Sequence, residues 1–129
     1  MMIFRYARHT GNLENLIKFY TEVLGFQILG KFKNHSTYNG VFLGFQDAGW
    51  HLEFTESDKP AQHTFDEDDI LVFYPKTAQE YNQLKERLKS VKEMVPKNPY
   101  WKGNGIMITD PDGYRIVISP EKLLKRIIK

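Results

Sequence analysis

A chain of 129 residues, 41% hydrophobic and 14% aromatic, can bury one compact core and is too short for two independent ones. Its 18 basic and 16 acidic residues are interspersed and leave a formal charge of +2, without the basic stripe of a nucleic-acid binder. Cysteine is absent, which excludes disulfides, thiolate metal sites and a cysteine nucleophile.

No segment approaches the ~20 apolar residues that span a bilayer, and the N-terminus lacks the apolar run of a secretory signal. A soluble, cytoplasmic protein is expected. Residues 2–9 alternate as a strand does, with Phe4, Tyr6 and Arg8 on one face and Arg5, Ala7 and His9 on the other. The second set is unusually polar for a strand. Asn12 suits an N-cap, and Leu13, Leu16, Ile17, Tyr20, Val23 and Leu24 follow at helical spacing up to Gly25, the expected stop. Strands are predicted over 26–32, 37–45 and 49–55, joined by turns at 33–36 and 46–48. Residues 1–56 thus form a first βαβββ module.

Residues 57–68 are polar and aperiodic and serve as the linker. The apolar run after Asp69 predicts a short strand that Pro75 ends. Thr77 and Glu80 make a capping box for a helix carrying Tyr81, Leu84, Leu88 and Val91 on one side. Short strands are predicted over 93–95 and 101–109. In Asp110-Pro111-Asp112-Gly113, Pro111 presets a turn, Asp112 can bond its own backbone and Gly113 accepts the left-handed conformation. The strand that follows puts Tyr114, Ile116 and Ile118 on a core face and Arg115 and Val117 on the other. Residues 69–119 form a second module. A last helix, 120–129, sets Leu123, Leu124, Ile127 and Ile128 against Lys122, Lys125, Arg126 and Lys129, and is expected to dock on its own domain or a partner subunit.

The two modules repeat at an offset of 64, from Gly49 to Gly113, which also sets Trp50 on Tyr114, Leu52 on Ile116 and Phe54 on Ile118. The fold class is therefore α+β, two tandem βαβββ modules. The helix running from Asn12 through Phe19-Tyr20 to Leu24-Gly25-Phe26, together with the Asp110-Pro111-Asp112-Gly113 turn, resembles the vicinal oxygen chelate superfamily. This is the glyoxalase, bleomycin-resistance and extradiol-dioxygenase group. The resemblance implies a curved mixed sheet that cups a ligand, with helices outside. It also implies four metal-ligand positions, here Arg5, Glu53, Asp69 and Val117. Arg5 is a permanent cation and Val117 has no donor atom, so the likeness is to a metal-free branch.

On this alternation the cup is lined by Arg5, Ala7, His9, His51, Glu53, Thr55, Asp69, Leu71, Phe73, Arg115 and Val117. Arg5 is expected to pair with Glu53 in the vacated metal position, either as a structural contact or as a site where Arg5 or Arg115 offers its fork to an anionic group. His9, His51 and Glu53 are the acid/base candidates, against the plainer reading of hydrogen-bonded strand residues. His35 and His63 fall in predicted loops. Tyr100 and Trp101 form an aromatic wall or a core or dimer contact, with Tyr38 and Phe73 as weaker wall candidates. No serine lies in a nucleophile-elbow context.

The resulting expectation is a metal-independent small-molecule binder without a cofactor, homodimeric, with no nucleic-acid or membrane partner, holding an anionic or aromatic ligand. Drug sequestration, as in the bleomycin-resistance branch, is one version. One alternative is a lyase, isomerase or dioxygenase whose zinc, nickel, iron or manganese is held by Glu53, Asp69 and His51. Another is a metal-free acid/base enzyme.

Overall fold

The computed structural model describes residues 1–128. Lys129, assigned above to the polar side of the last helix, lies outside the described residues. The chain forms two compact units, Met1–His63 and Thr64 onward.

In the first unit β1 (Phe4–His9) leads to α1 (Leu13–Lys18), then β2 (Gln27–His35), β3 (Tyr38–Gly44) and β4 (Trp50–Glu56). Asn12 caps α1, its Oδ1 accepting from the Asn15 amide at 3.0 Å. The helix then widens into a π-turn over Phe19–Val23, and Gly25 (φ 75°) stops it in the left-handed conformation. Burial of Leu16, Tyr20 and Leu24 explains the helical spacing, with the Tyr20 ring 5.0 Å from that of Phe54 and 5.6 Å from that of Phe26.

Strand order in this sheet is β1-β4-β3-β2, with β1 parallel to β4 and the other pairs antiparallel. Leu52 and Phe54 of β4 join Val41 and Leu43 of β3 in the core. Arg8 shares that face and is only 6% exposed, its guanidinium 4.9 Å from the Phe54 ring centroid. The expected turn at 33–36 lies later. β2 continues to His35, and the chain reverses at Ser36 and Thr37, both at positive φ (52° and 73°) as a two-residue hairpin requires.

The second unit contains β5 (Ile70–Phe73), α2 (Ala78–Leu88), β6 (Ile106–Thr109), β7 (Arg115–Ile118) and α3 (Glu121–Ile127), with strand order β5-β7-β6. Thr77 Oγ1 accepts from the Glu80 amide at 3.0 Å, the cap that the sequence predicts. The strand expected at 93–95 is a single bridge, Met94 to Met107. The one expected from 101 begins at Ile106, because Pro99–Trp101 tightens into a 3₁₀ turn. Ser119 does not cap α3, since its hydroxyl donates to the Asn104 carbonyl at 2.6 Å.

The constant offset also fails at β5. In the first unit Tyr6 stands beside Leu52, whereas Leu71, one residue beyond the offset, stands beside Ile116. One extra residue precedes β5, and a one-residue slip exchanges the two faces of a strand. Ile70 and Val72 therefore share a face with Arg115 and Val117, and Leu71 and Phe73 take the face of Ile116 and Ile118.

At the turn before β7, Gly113 (φ 92°) adopts the left-handed conformation, and the Asp110 carboxylate organises the turn. Buried Asp110 accepts from the amides of Asp112 at 3.0 Å and Tyr114 at 3.1 Å through Oδ1. Asp110→Ala leaves both amides without that acceptor and should cost about 1–3 kcal/mol, read as a lower midpoint in denaturant unfolding.

Candidate functional site

The site is on the face of the first unit's sheet opposite α1. Because β4 buries Leu52 and Phe54, alternation carries His51, Glu53 and Thr55 to the other side, where parallel pairing sets Arg5 beside His51, Ala7 beside Glu53 and His9 beside Thr55. β3 extends the rows, with Gly44 next to His51, Phe42 next to Glu53 and Gly40 next to Thr55.

Arg5 Nε donates to His51 Nε2 at 2.8 Å, its Nη1 lies 3.7 Å from Glu53 Oε1, and its guanidinium sits 4.9 Å from the Phe42 ring centroid. In the first bond Nε2 of the imidazole serves as the acceptor. The Arg5 side chain is 51% exposed and that of Glu53 only 16%, so the cation reaches solvent from a pair whose anion is largely covered. Arg5, Leu29, Phe42 and His51 line a shallow depression of about 190 Å³.

Two glycines shape its apolar side. A Cβ on Gly40 would fall 2.2 Å from the Phe32 ring, and one on Gly44 would touch Leu29 at 3.4 Å. Leu29 occupies a bulge between Ile28 and Gly30, which turns its side chain onto this face. Sequence reasoning left out Phe42 and Leu29. The alternation of Phe42 with buried Val41 and Leu43 was the available signal for the first, but a bulge carries no such mark.

His9 stands at the other end of the face. Its Nε2 lies 3.0 Å from Ser57 Oγ, its ring is 6.0 Å from that of Tyr38, and its carbonyl accepts from His63 Nε2 at 2.7 Å. His63, which falls in a predicted loop, pins the connecting segment to β1. Ser57 is a further polar neighbour that its loop context concealed.

The remaining predicted residues belong to the second unit. Asp69 precedes β5, and its Oδ2 accepts from the Asp66 amide at 3.1 Å, a turn contact in place of the ligand position expected for it. Phe73 lies on the face opposite Arg115, the one-residue slip having moved it. Arg115 is paired with Glu67 at 3.9 Å and stands between Ile70 and Thr109. Tyr100 and Trp101 pack edge to face, centroids 4.9 Å apart. Burial, helped by the neighbouring Tyr100, pushes the Tyr74 phenol above its ordinary value. Among the described residues, no group of three or more His, Asp or Glu side chains is arranged to hold a metal ion.

Residues 4–55 match the YycE-like N-terminal domain and residues 68–119 the YycE-like C-terminal domain. YycE from Bacillus subtilis (strain 168), an uncharacterized protein, is 41% identical over 124 residues, which cover 92% of this chain and 87% of that one. The chain belongs to the YycE-like family.

The crystal structure of Bacillus subtilis YycE, described as a protein of unknown function and a candidate glyoxalase/fosfomycin resistance protein, superposes with a TM-score of 0.78 at 40% identity, covering 89% of this chain and 86% of that one. Trypanothione-dependent glyoxalase I from Leishmania major follows the same fold with a TM-score of 0.75 at 25% identity, covering 98% and 91%. The fosfomycin resistance protein FosX from Mesorhizobium loti, at 14% identity and a TM-score of 0.66 over 97% and 95%, shares the fold. The YycE-like chain is thus a member of the glyoxalase/fosfomycin resistance structural superfamily, the vicinal oxygen chelate group.

Arg5 is half exposed and its ion pair with Glu53 is long, so its contacts add little to stability. Arg5→Leu should shift the unfolding free energy by less than about 1 kcal/mol in urea titration, whereas truncation of buried Phe54 to Ala should cost about 3–5 kcal/mol.

Proposed function

We propose that the protein binds a small anionic molecule with an aromatic or apolar body on this face, and does so without a divalent metal. The observation that carries the reading is Arg5: a cation fixed on three sides by His51, Glu53 and Phe42 while its side chain stays half exposed. Such a guanidinium is oriented before the ligand arrives, so less rotamer entropy is lost on binding. Leu29 and Phe42 beside it supply an apolar surface for the rest of the molecule.

The donor set does not suit a divalent ion. The lone pair that His51 would give a metal is engaged by Arg5, and a fixed guanidinium beside Glu53 opposes a second cation there. In the second unit, the strand residues equivalent by register to Arg5 and Glu53 are Ile70 and Val117, and neither has a ligating atom. Asp69, the alternative ligand, has Oδ2 engaged by the Asp66 amide.

Two measurements test this reading. Elemental analysis after equilibration with zinc, nickel, iron or manganese should find metal well below one equivalent; a stoichiometric ion lost in Glu53→Gln would overturn it. In a screen of aromatic acids, Arg5→Leu should weaken binding at least about tenfold, and Arg5→Lys should not restore it, because a point ammonium cannot present the planar fork.

A further inference from the structure

We propose that the second unit carries a separate site, in the cleft between the start of α2 and α3, for an organic phosphate with an aromatic body, such as a nucleoside or aryl phosphate. The cleft measures about 390 Å³, within the range of about 300–1,000 Å³ usual for small-molecule sites and larger than the depression at Arg5. Its whole wall belongs to the second unit.

The composition of the wall follows from helical spacing. Lys76 stands just before the Thr77 cap, while Ala78 and Tyr81, three residues apart, share a face of the first turn of α2. Pro120 leads into α3, on which Lys122 and Lys125 are likewise three apart. Ala78, Tyr81 and Pro120 thus supply apolar surface, and lysines supply charge from both elements. The acid in the wall is Glu121, which Lys125 faces at 3.8 Å. Among the described residues neither Lys76 nor Lys122 has an ion-pair partner. Cations left unneutralised around a concave, partly apolar surface focus a positive potential into it, so an anion is drawn there.

The residue types choose the anion. An ammonium is a point charge without the planar fork that matches a carboxylate, and ammonium groups arriving from different elements suit the divergent oxygens of a tetrahedral phosphate. The half-buried ring of Tyr81 gives a flat ligand an aromatic neighbour.

AMP, adenosine and inorganic phosphate separate these requirements at about pH 8, where a phosphate monoester is a dianion. AMP carries ring and charge, adenosine the ring alone and phosphate the charge alone. In NMR titration of the full chain at low salt, AMP should bind at least about tenfold more tightly than either of the others, with amide shifts concentrated around Ala78, Tyr81 and Lys122. Lys76 and Lys122 are exposed, so reversing either charge should not disturb the fold, and Lys76→Glu or Lys122→Glu should weaken AMP at least about fivefold. Arg5→Leu, a change in the other unit, should alter AMP affinity less than about twofold. The proposal is overturned if AMP binds no better than phosphate, if both lysine variants keep the native affinity, or if Arg5→Leu abolishes AMP binding and so assigns the anion to the first unit. Absence of AMP binding by the native chain also overturns it, while leaving the reading at Arg5 to its own test with aromatic acids.

Discussion

Everything on the candidate face depends on the burial of Leu52 and Phe54 beneath the helix that carries Tyr20. A strand cannot commit two alternate residues to a core without turning the residues between them to the other side, so the apolar contact that stabilises the first unit also aims His51 and Glu53. Parallel pairing then brings Arg5, forty-six residues away along the chain, within hydrogen-bonding distance of His51. The polar cluster is thus a consequence of the packing beneath it.

The same face is divided along its width. β1 and β4 contribute Arg5, His51, Glu53, Thr55 and His9, whereas β3 and β2 contribute Phe42, Phe32 and Leu29. Gly40 holds that division in place, because a side chain there would run into the ring of Phe32, whereas one at Gly44 would make ordinary contact with Leu29. An oriented cation next to an apolar floor is the arrangement expected where a molecule has to be held by one charged group and one flat body.

The second unit repeats the architecture with different chemistry. Its β5 is apolar throughout, Arg115 is paired with Glu67, and Val117 is buried where the first unit has Glu53. Sequence repetition preserved the strand-helix-strand frame and the glycine before the last strand, while the residues that do chemistry diverged.

Much of this was legible in the chain itself. The helix from Asn12 to Gly25, the capping box at Thr77 and the alternation of β1 and β4 follow from local propensity and period, which act over a few residues and leave their mark in the order of side chains, whereas the encounter of Arg5 with Glu53 was implied by the superfamily resemblance. Tertiary structure decided the rest. The partner of the Arg5 Nε is His51, the floor is Phe42 and Leu29, and the face presented by Phe73 is the reverse of the one its sequence offset implied. A bulge, an extra residue before a strand and a ring that fills the space above a glycine are set by pairing between distant segments, and period-two pattern alone cannot count residues across a gap in the ladder.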